Sequence, residues 1–142
     1  MIQPKLNTQM HFSRHFASSL DEVELVCRDL RMWLLSQGLN QHQFRIELIL
    51  RECLNNAVLH GNRKQPGLHV EFEVRHRLSW IWARVRDEGS GFDWRARNNE
   101  SEPCKDKPNG RGLAIAYLRA EQVRFNDSGN QIFLLFRIKS RK

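Results

Sequence analysis

The sequence predicts an α+β fold, a two-layer α/β sandwich with helices on one face of a mixed, mostly antiparallel sheet. Three observations carry this expectation. Segments of period-two hydrophobicity stand near both ends of the chain and in its middle. Two helical patterns follow one another directly after the first of them. Strands and helices are therefore grouped rather than strictly alternating. The length of 142 residues suits a single domain over 1–142, since domains typically hold roughly 100 to 200 residues. With 40% hydrophobic residues, a core forms without a disulfide or metal staple.

Met10, Phe12 and Phe16 share one parity and His11, Ser13 and His15 the other, which predicts a short half-buried strand. Ser19 and Glu22 then match the S-x-x-E capping box. Val23, Val26, Cys27, Leu30, Trp33 and Leu34 recur behind it at helical spacing as far as Gly38. A second helix is expected from residue 40 or 41 to about residue 60. Its apolar residues, Phe44 and Leu48 among them, cover most of its circumference, so it is expected to pack on two sides.

Beyond the Gly61 to Gly67 break the period becomes two, with Leu68, Val70, Phe72 and Val74 on one face. In the next strand, from Trp80, the residues Ile81, Ala83 and Val85 form the apolar parity, and Asp87 continues it. Residues 88–109 have almost no apolar periodicity and read as a long loop. Such loops are uncommon in compact domains unless functional or disordered. Gly110-Arg111-Gly112 opens a third helix through Leu113, Ile115, Ala116 and Leu118. Two strands, 122–126 and 131–139, flank a turn at Asp127-Ser128-Gly129-Asn130. Trp80, Trp82, Phe133 and Leu135 fall on outward parities, which suggests a partly apolar outer face used in self-association.

The net charge is +7, from 23 Lys and Arg against 16 Asp and Glu. The signs balance through residue 62, so the whole excess lies after it. That half suits an anionic partner such as a nucleotide phosphate or an acidic protein surface, and equally an Arg-rich solvated exterior. No apolar run reaches 18 residues and no signal-peptide centre is present, so a soluble, cytoplasmic protein is expected without membrane contact. Cys27, Cys53 and Cys104 lack any C-x-x-C spacing, so the cysteines signal neither a zinc site nor a disulfide framework; the first two read as packing residues.

Three constellations carry chemistry. Glu52 and Asn56 are four apart on the second helix, hence on one face. A carboxylate beside a carboxamide suits a general base with a metal ligand, whereas a plain polar helix stripe explains the pair taken alone. Asp87, Gly89 and Gly91 form a D-x-G-x-G string at a strand end, where an acid accepts hydrogen bonds and glycines admit a flat ligand. Gly110-Arg111-Gly112-Leu113 starts a helix, whose free N–H groups and dipole suit phosphate.

In this order the three resemble the N, G1 and G2 boxes of the GHKL, or Bergerat-fold, ATPases. Asn56-Ala57-Val58-Leu59-His60-Gly61-Asn62 further resembles the anti-sigma-factor serine kinases of the RsbW type. The resemblance spans nearly the whole chain, from the Phe12 strand to the Phe136 strand. It implies that ATP and Mg²⁺ are bound, with Asp87 accepting from the adenine amino group and Gly89 and Gly91 beside the base. It further implies that Asn56 coordinates Mg²⁺, and that Gly110, Arg111, Gly112 and Leu113 form the phosphate site. Residues 92–109 would be the ATP lid and Glu52 the general base for a protein serine hydroxyl. Phosphoryl transfer needs chiefly positioning and charge neutralisation, which this set supplies. Family members commonly carry Gly-Thr where this chain has Gly129-Asn130, the threonine supporting the adenine-binding aspartate.

The implied function is an anti-sigma factor and serine-protein kinase of a partner-switching system. Its partners would be a STAS-domain anti-sigma-factor antagonist, a sigma factor or other regulatory target, and a second copy of the chain in a homodimer. The alternative is a non-catalytic GHKL module that binds nucleotide or sequesters a partner. A histidine kinase is disfavoured because no phospho-acceptor helix pair precedes Glu52; His11, His15 and His42 read as surface or strand histidines. Direct nucleic-acid binding rests only on the basic charge and on the Trp/Arg interleaving of residues 80–86, which a sheet strand also explains.

Overall fold

The computed structural model describes residues 10–90 and 120–138. In chain order these form β1 (His11–Ala17), α1 (Leu20–Ser36), α2 (Gln43–Asn56), a π-helical turn (Ala57–Gly61), β2 (His69–Arg77), β3 (Trp80–Asp87), β4 (Gln122–Phe125) and β5 (Gln131–Arg137). The strands make one sheet in the order β1-β2-β3-β5-β4. Every pairing among them is antiparallel, so the described sheet has no parallel member. Together with the helices this is the expected α+β sandwich. The expected third helix and the 92–109 lid lie outside the described residues, as does Cys104.

The capping box forms as read. Ser19 is the N-cap of α1, its Oγ accepting from the Glu22 N–H at 3.1 Å. At the other end Leu39 N–H reaches Leu34 O at 3.1 Å and Gly38 N–H reaches Leu35 O at 3.0 Å. This 6→1 and 5→2 pair is a Schellman motif, which needs the left-handed φ of +77° that Gly38 supplies. Leu39 and Leu34 are both buried beside it, so the chain turns from α1 into α2 on an apolar contact.

The core lies between the helices and the inner sheet face. Phe12 and Phe16 of β1, Val70, Phe72 and Val74 of β2, Ile81, Ala83 and Val85 of β3, and Ile132, Leu134 and Phe136 of β5 meet Val23, Leu30, Leu34, Ile46, Ile49, Leu50 and Leu54. Cys27 and Cys53 are buried in the same cluster, and burial pushes their thiols up to about 11 and about 12. They are packing residues, as expected, and unreactive ones.

Two expectations are corrected in detail. Helix α2 spans Gln43–Asn56, and its last stretch is a π-turn rather than a continued α-helix. Its apolar set does not wrap the whole helix, because Phe44 is 74% exposed and Leu48 is exposed as well. The buried side instead includes a charge, Glu47, at 6% exposure. The outer sheet face is mainly an ionic surface. Glu73 holds His11, Arg75 and Arg84, and Glu71 holds Arg84 and Arg86. The apolar part expected on this face is there too, with Trp80, Trp82, Phe133 and Leu135 all on the outward parity and Trp82 and Phe133 as a tilted pair.

Candidate functional site

The inner end of β3 meets the end of α2. The parity that buries Ile81, Ala83 and Val85 also carries Asp87 inward, to 8% exposure. A lone buried carboxylate is costly, and burial pushes the Asp87 carboxyl up to about 6, while the Gly89 N–H and the Arg86 charge pull it down. Gly89 N–H donates to Asp87 Oδ1 at 2.8 Å. No described residue donates to Oδ2. The carboxylate thus keeps an acceptor available at the mouth of the helix–sheet interface.

Its backbone is held from β5. Asp87 N–H donates to Asn130 O at 2.9 Å, and Asn130 Nδ2 donates to Asp87 O at 3.2 Å. Asn130 Oδ1 in turn accepts from Asn126 Nδ2 and Ser128 Oγ within the β4–β5 turn. Asn130 therefore supports the main chain of Asp87 and leaves its carboxylate alone.

Gly61 ends the π-turn directly against this carboxylate. A Cβ built on Gly61 would stand 2.2 Å from Asp87 Oδ2, and one on Gly89 would stand 2.0 Å from Gly61 O. Only glycine fits at either place without moving backbone or carboxylate. The π-turn arises where Asn62 N–H skips to Ala57 O at 2.8 Å, an i→i+5 bond. Asn62 itself is 1% exposed, and its side chain ties three segments. Its Nδ2 donates to His69 O at 2.9 Å and its Oδ1 accepts from Glu88 N–H at 2.8 Å. Arg63 and Lys64 follow with left-handed φ of 54° and 57°. Lys64 N–H to Val58 O, at 2.8 Å, holds that conformation.

Glu52 and Asn56 lie on the face of α2 that Leu48 and His60 continue. Leu48 and His60 are exposed, whereas Glu52 and Asn56 are half-buried. Of the predicted site residues, Glu52 and Asn56 thus come from α2, and Asp87 and Gly89 from the end of β3. Gly91, Gly110, Arg111, Gly112 and Leu113 lie outside the described residues. Gly61 and Asn62, which the sequence offered only as a helix break and as the end of the Asn56–Asn62 resemblance, gain individual structural roles here. The signal was present: a polar Asn between an apolar helix and a loop, next to a glycine.

The residues present fit an adenine nucleotide. Gly61 and Gly89 pack directly against a buried carboxylate with a spare acceptor, which suits an exocyclic amino donor. A glutamate and an asparagine stand on the neighbouring helix α2. The fold and this site define an ATP-binding domain of the histidine kinase-like class. The family model for the histidine kinase-like ATPase domain matches residues 16–136, so the chain belongs to that family. No curated protein matches the chain.

Proposed function

We propose that this protein is an anti-sigma factor and ATP-dependent serine kinase of a partner-switching system, acting in the cytoplasm on a STAS-domain antagonist. The observation that carries the nucleotide part is the Asp87 carboxylate seated between Gly61 and Gly89. The subfamily part is supported by the resemblance of Asn56 through Asn62, and the kinase chemistry by Glu52 and Asn56 lying one turn apart on α2.

Bound Mg-ATP would supply the transferable phosphoryl group. Asp87 would orient the base by accepting a hydrogen bond from its amino group, with the backbone at Gly61 and Gly89 beside it. Asn56 is the residue on the described surface that would hold Mg²⁺. Glu52 would take the proton of the incoming serine hydroxyl as its oxygen bonds to the γ-phosphorus, the bond from that phosphorus to the bridging oxygen breaking and ADP leaving. The proposed partners are the antagonist, a sigma factor or another regulatory target, and a second copy of this chain. Both arginines of β3 are already engaged, since Arg84 pairs with Glu71 and Glu73 and Arg86 with Glu71. That pairing favours a protein-directed role over nucleic-acid binding.

Calorimetric titration with ATP and ADP in the presence of Mg²⁺ tests the first step. Saturable binding by the wild type and none by Asp87→Asn is expected. Phosphate transfer to a STAS-domain protein tests the second. Glu52→Ala should retain nucleotide affinity and lose transfer by about a hundredfold or more. Binding without transfer by the wild type would leave a non-catalytic nucleotide-binding module.

A further inference from the structure

Behind Asp87, on the outer face of the sheet, three side chains with metal-ligating atoms converge from three segments. His15 comes from β1, His69 from the start of β2, and Glu88 directly follows β3. One ligand atom from each lies within 4.8 Å of the other two. The register accounts for the meeting. Ala17 pairs with His69 and Val70 with Asp87. Strand alternation then turns His15, His69 and Glu88 outward where Asp87 turns inward.

The three side chains are already neighbours. The two imidazoles stack with centroids 4.8 Å apart and planes 10° from parallel. Glu88 Oε1 accepts from the His69 backbone N–H at 2.8 Å and stands 3.9 Å from His69 Nδ1. The Glu88 N–H is in turn fixed by Asn62. Glu71, opposite His15 in the register, pairs with Arg84 and Arg86 and so draws their charge away from the imidazoles.

We propose that His15, His69 and Glu88 bind a divalent transition-metal ion of the zinc class, with water completing the coordination. Two imidazoles and one carboxylate are a donor set of open zinc sites, whereas Mg²⁺ and Ca²⁺ favour oxygen ligands alone. Zn–N bonds of about 2.0–2.1 Å place tetrahedral ligand atoms about 3.4 Å apart. Side-chain rotations close that gap, and His15 and Glu88 are exposed and free to make them. The His69 N–H that orients Glu88 is the kind of supporting hydrogen bond that ligating carboxylates use. The site is separate from the Mg²⁺ position ascribed to Asn56, because the helices cover the opposite sheet face. An ion here would cross-link β1 and β2 to the segment that leaves β3.

The test uses the full chain without an affinity tag. Zn²⁺ affinity is measured by competition with a chromophoric chelator, and Co²⁺ binding by visible d–d absorption. A single site with Kd of about 10 µM or tighter is expected, weakened about tenfold to a hundredfold in His15→Ala and in Glu88→Gln. Both substitutions are at exposed positions, and circular dichroism checks that each variant is folded. Absence of Zn²⁺ and Co²⁺ binding by the wild type would overturn the proposal. So would binding that both variants retain in full, since the ion would then be held elsewhere in the chain.

Discussion

Asp87 is a charge placed where the fold would rather have none. Its carboxyl rises from 3.8 to about 6, with burial the largest cause. A folded-state value above the unfolded one means that the protonated form suits the fold better. The corresponding stability is fully present below about pH 4 and is lost as pH rises through about 6, a total of about 3 kcal/mol. Asp87→Asn, neutral throughout, should therefore melt above the wild type at pH 8, by a margin that narrows toward pH 4. Scanning calorimetry at several pH values measures this, and a variant that melts lower at pH 8 would contradict it. The same ionisation predicts that wild-type ATP affinity weakens below about pH 6, since the protonated carboxyl is a poorer acceptor for an amino group. Asp87 was legible in the sequence because it kept the apolar parity of β3. Gly61 was not, because its reason for being glycine is a carboxylate 26 residues further along.

Between elements, the firmest polar link is the buried carboxylate of Glu47. Arg31 of α1 grips it through Nε at 2.9 Å and Nη2 at 2.8 Å, Arg51 donates at 3.0 Å, and Gln43 at 2.6 Å. Arg51 also pairs with Glu24 back on α1. Burial alone would raise the Glu47 carboxyl, but these hydrogen bonds outweigh it and hold it below the usual range. Glu47→Ala leaves Arg31 and Arg51 without their shared partner and should cost about 1–3 kcal/mol in urea unfolding, less than a fully buried pair would, because Arg31 is 44% exposed and Arg51 keeps Glu24. The folded variant should still bind ATP, which separates this effect from the site. Helix α1 could be read from sequence because its cap, its spacing and its stop are all local: Ser19, Glu22 and Gly38. The network on α2 could not, because Glu47 looks like an ordinary surface residue until Arg31, sixteen residues earlier, is brought against it. The exposed Phe44 misled for the same reason, since only the position of α1 decides which face of α2 is covered.

For the whole molecule, the strand grouping was enough to foresee one sheet with helices on a single face. The order β1-β2-β3-β5-β4 was not legible, since hydrophobic period fixes which face a strand buries and not which neighbour it takes. No helix among the described residues is long and apolar enough to cross a membrane. The proposed self-association predicts a sedimenting mass near twice the 16.8 kDa of the chain at micromolar concentration. A species that stays at the single-chain mass would remove the dimer from the proposal and leave the nucleotide site untouched. The π-turn adds a constraint of another kind, on chain length. An α-helix advances about 100° per residue, so restoring regular winding at Ala57–Gly61 by deleting one residue would swing everything beyond it around the helix axis. Gly61 would leave Asp87, and Asn62 would lose its grip on β2 and the end of β3. In this short stretch a deletion is equivalent to a rotation, and related chains that keep the glycine-against-aspartate contact should tolerate changes of residue there far better than changes of number.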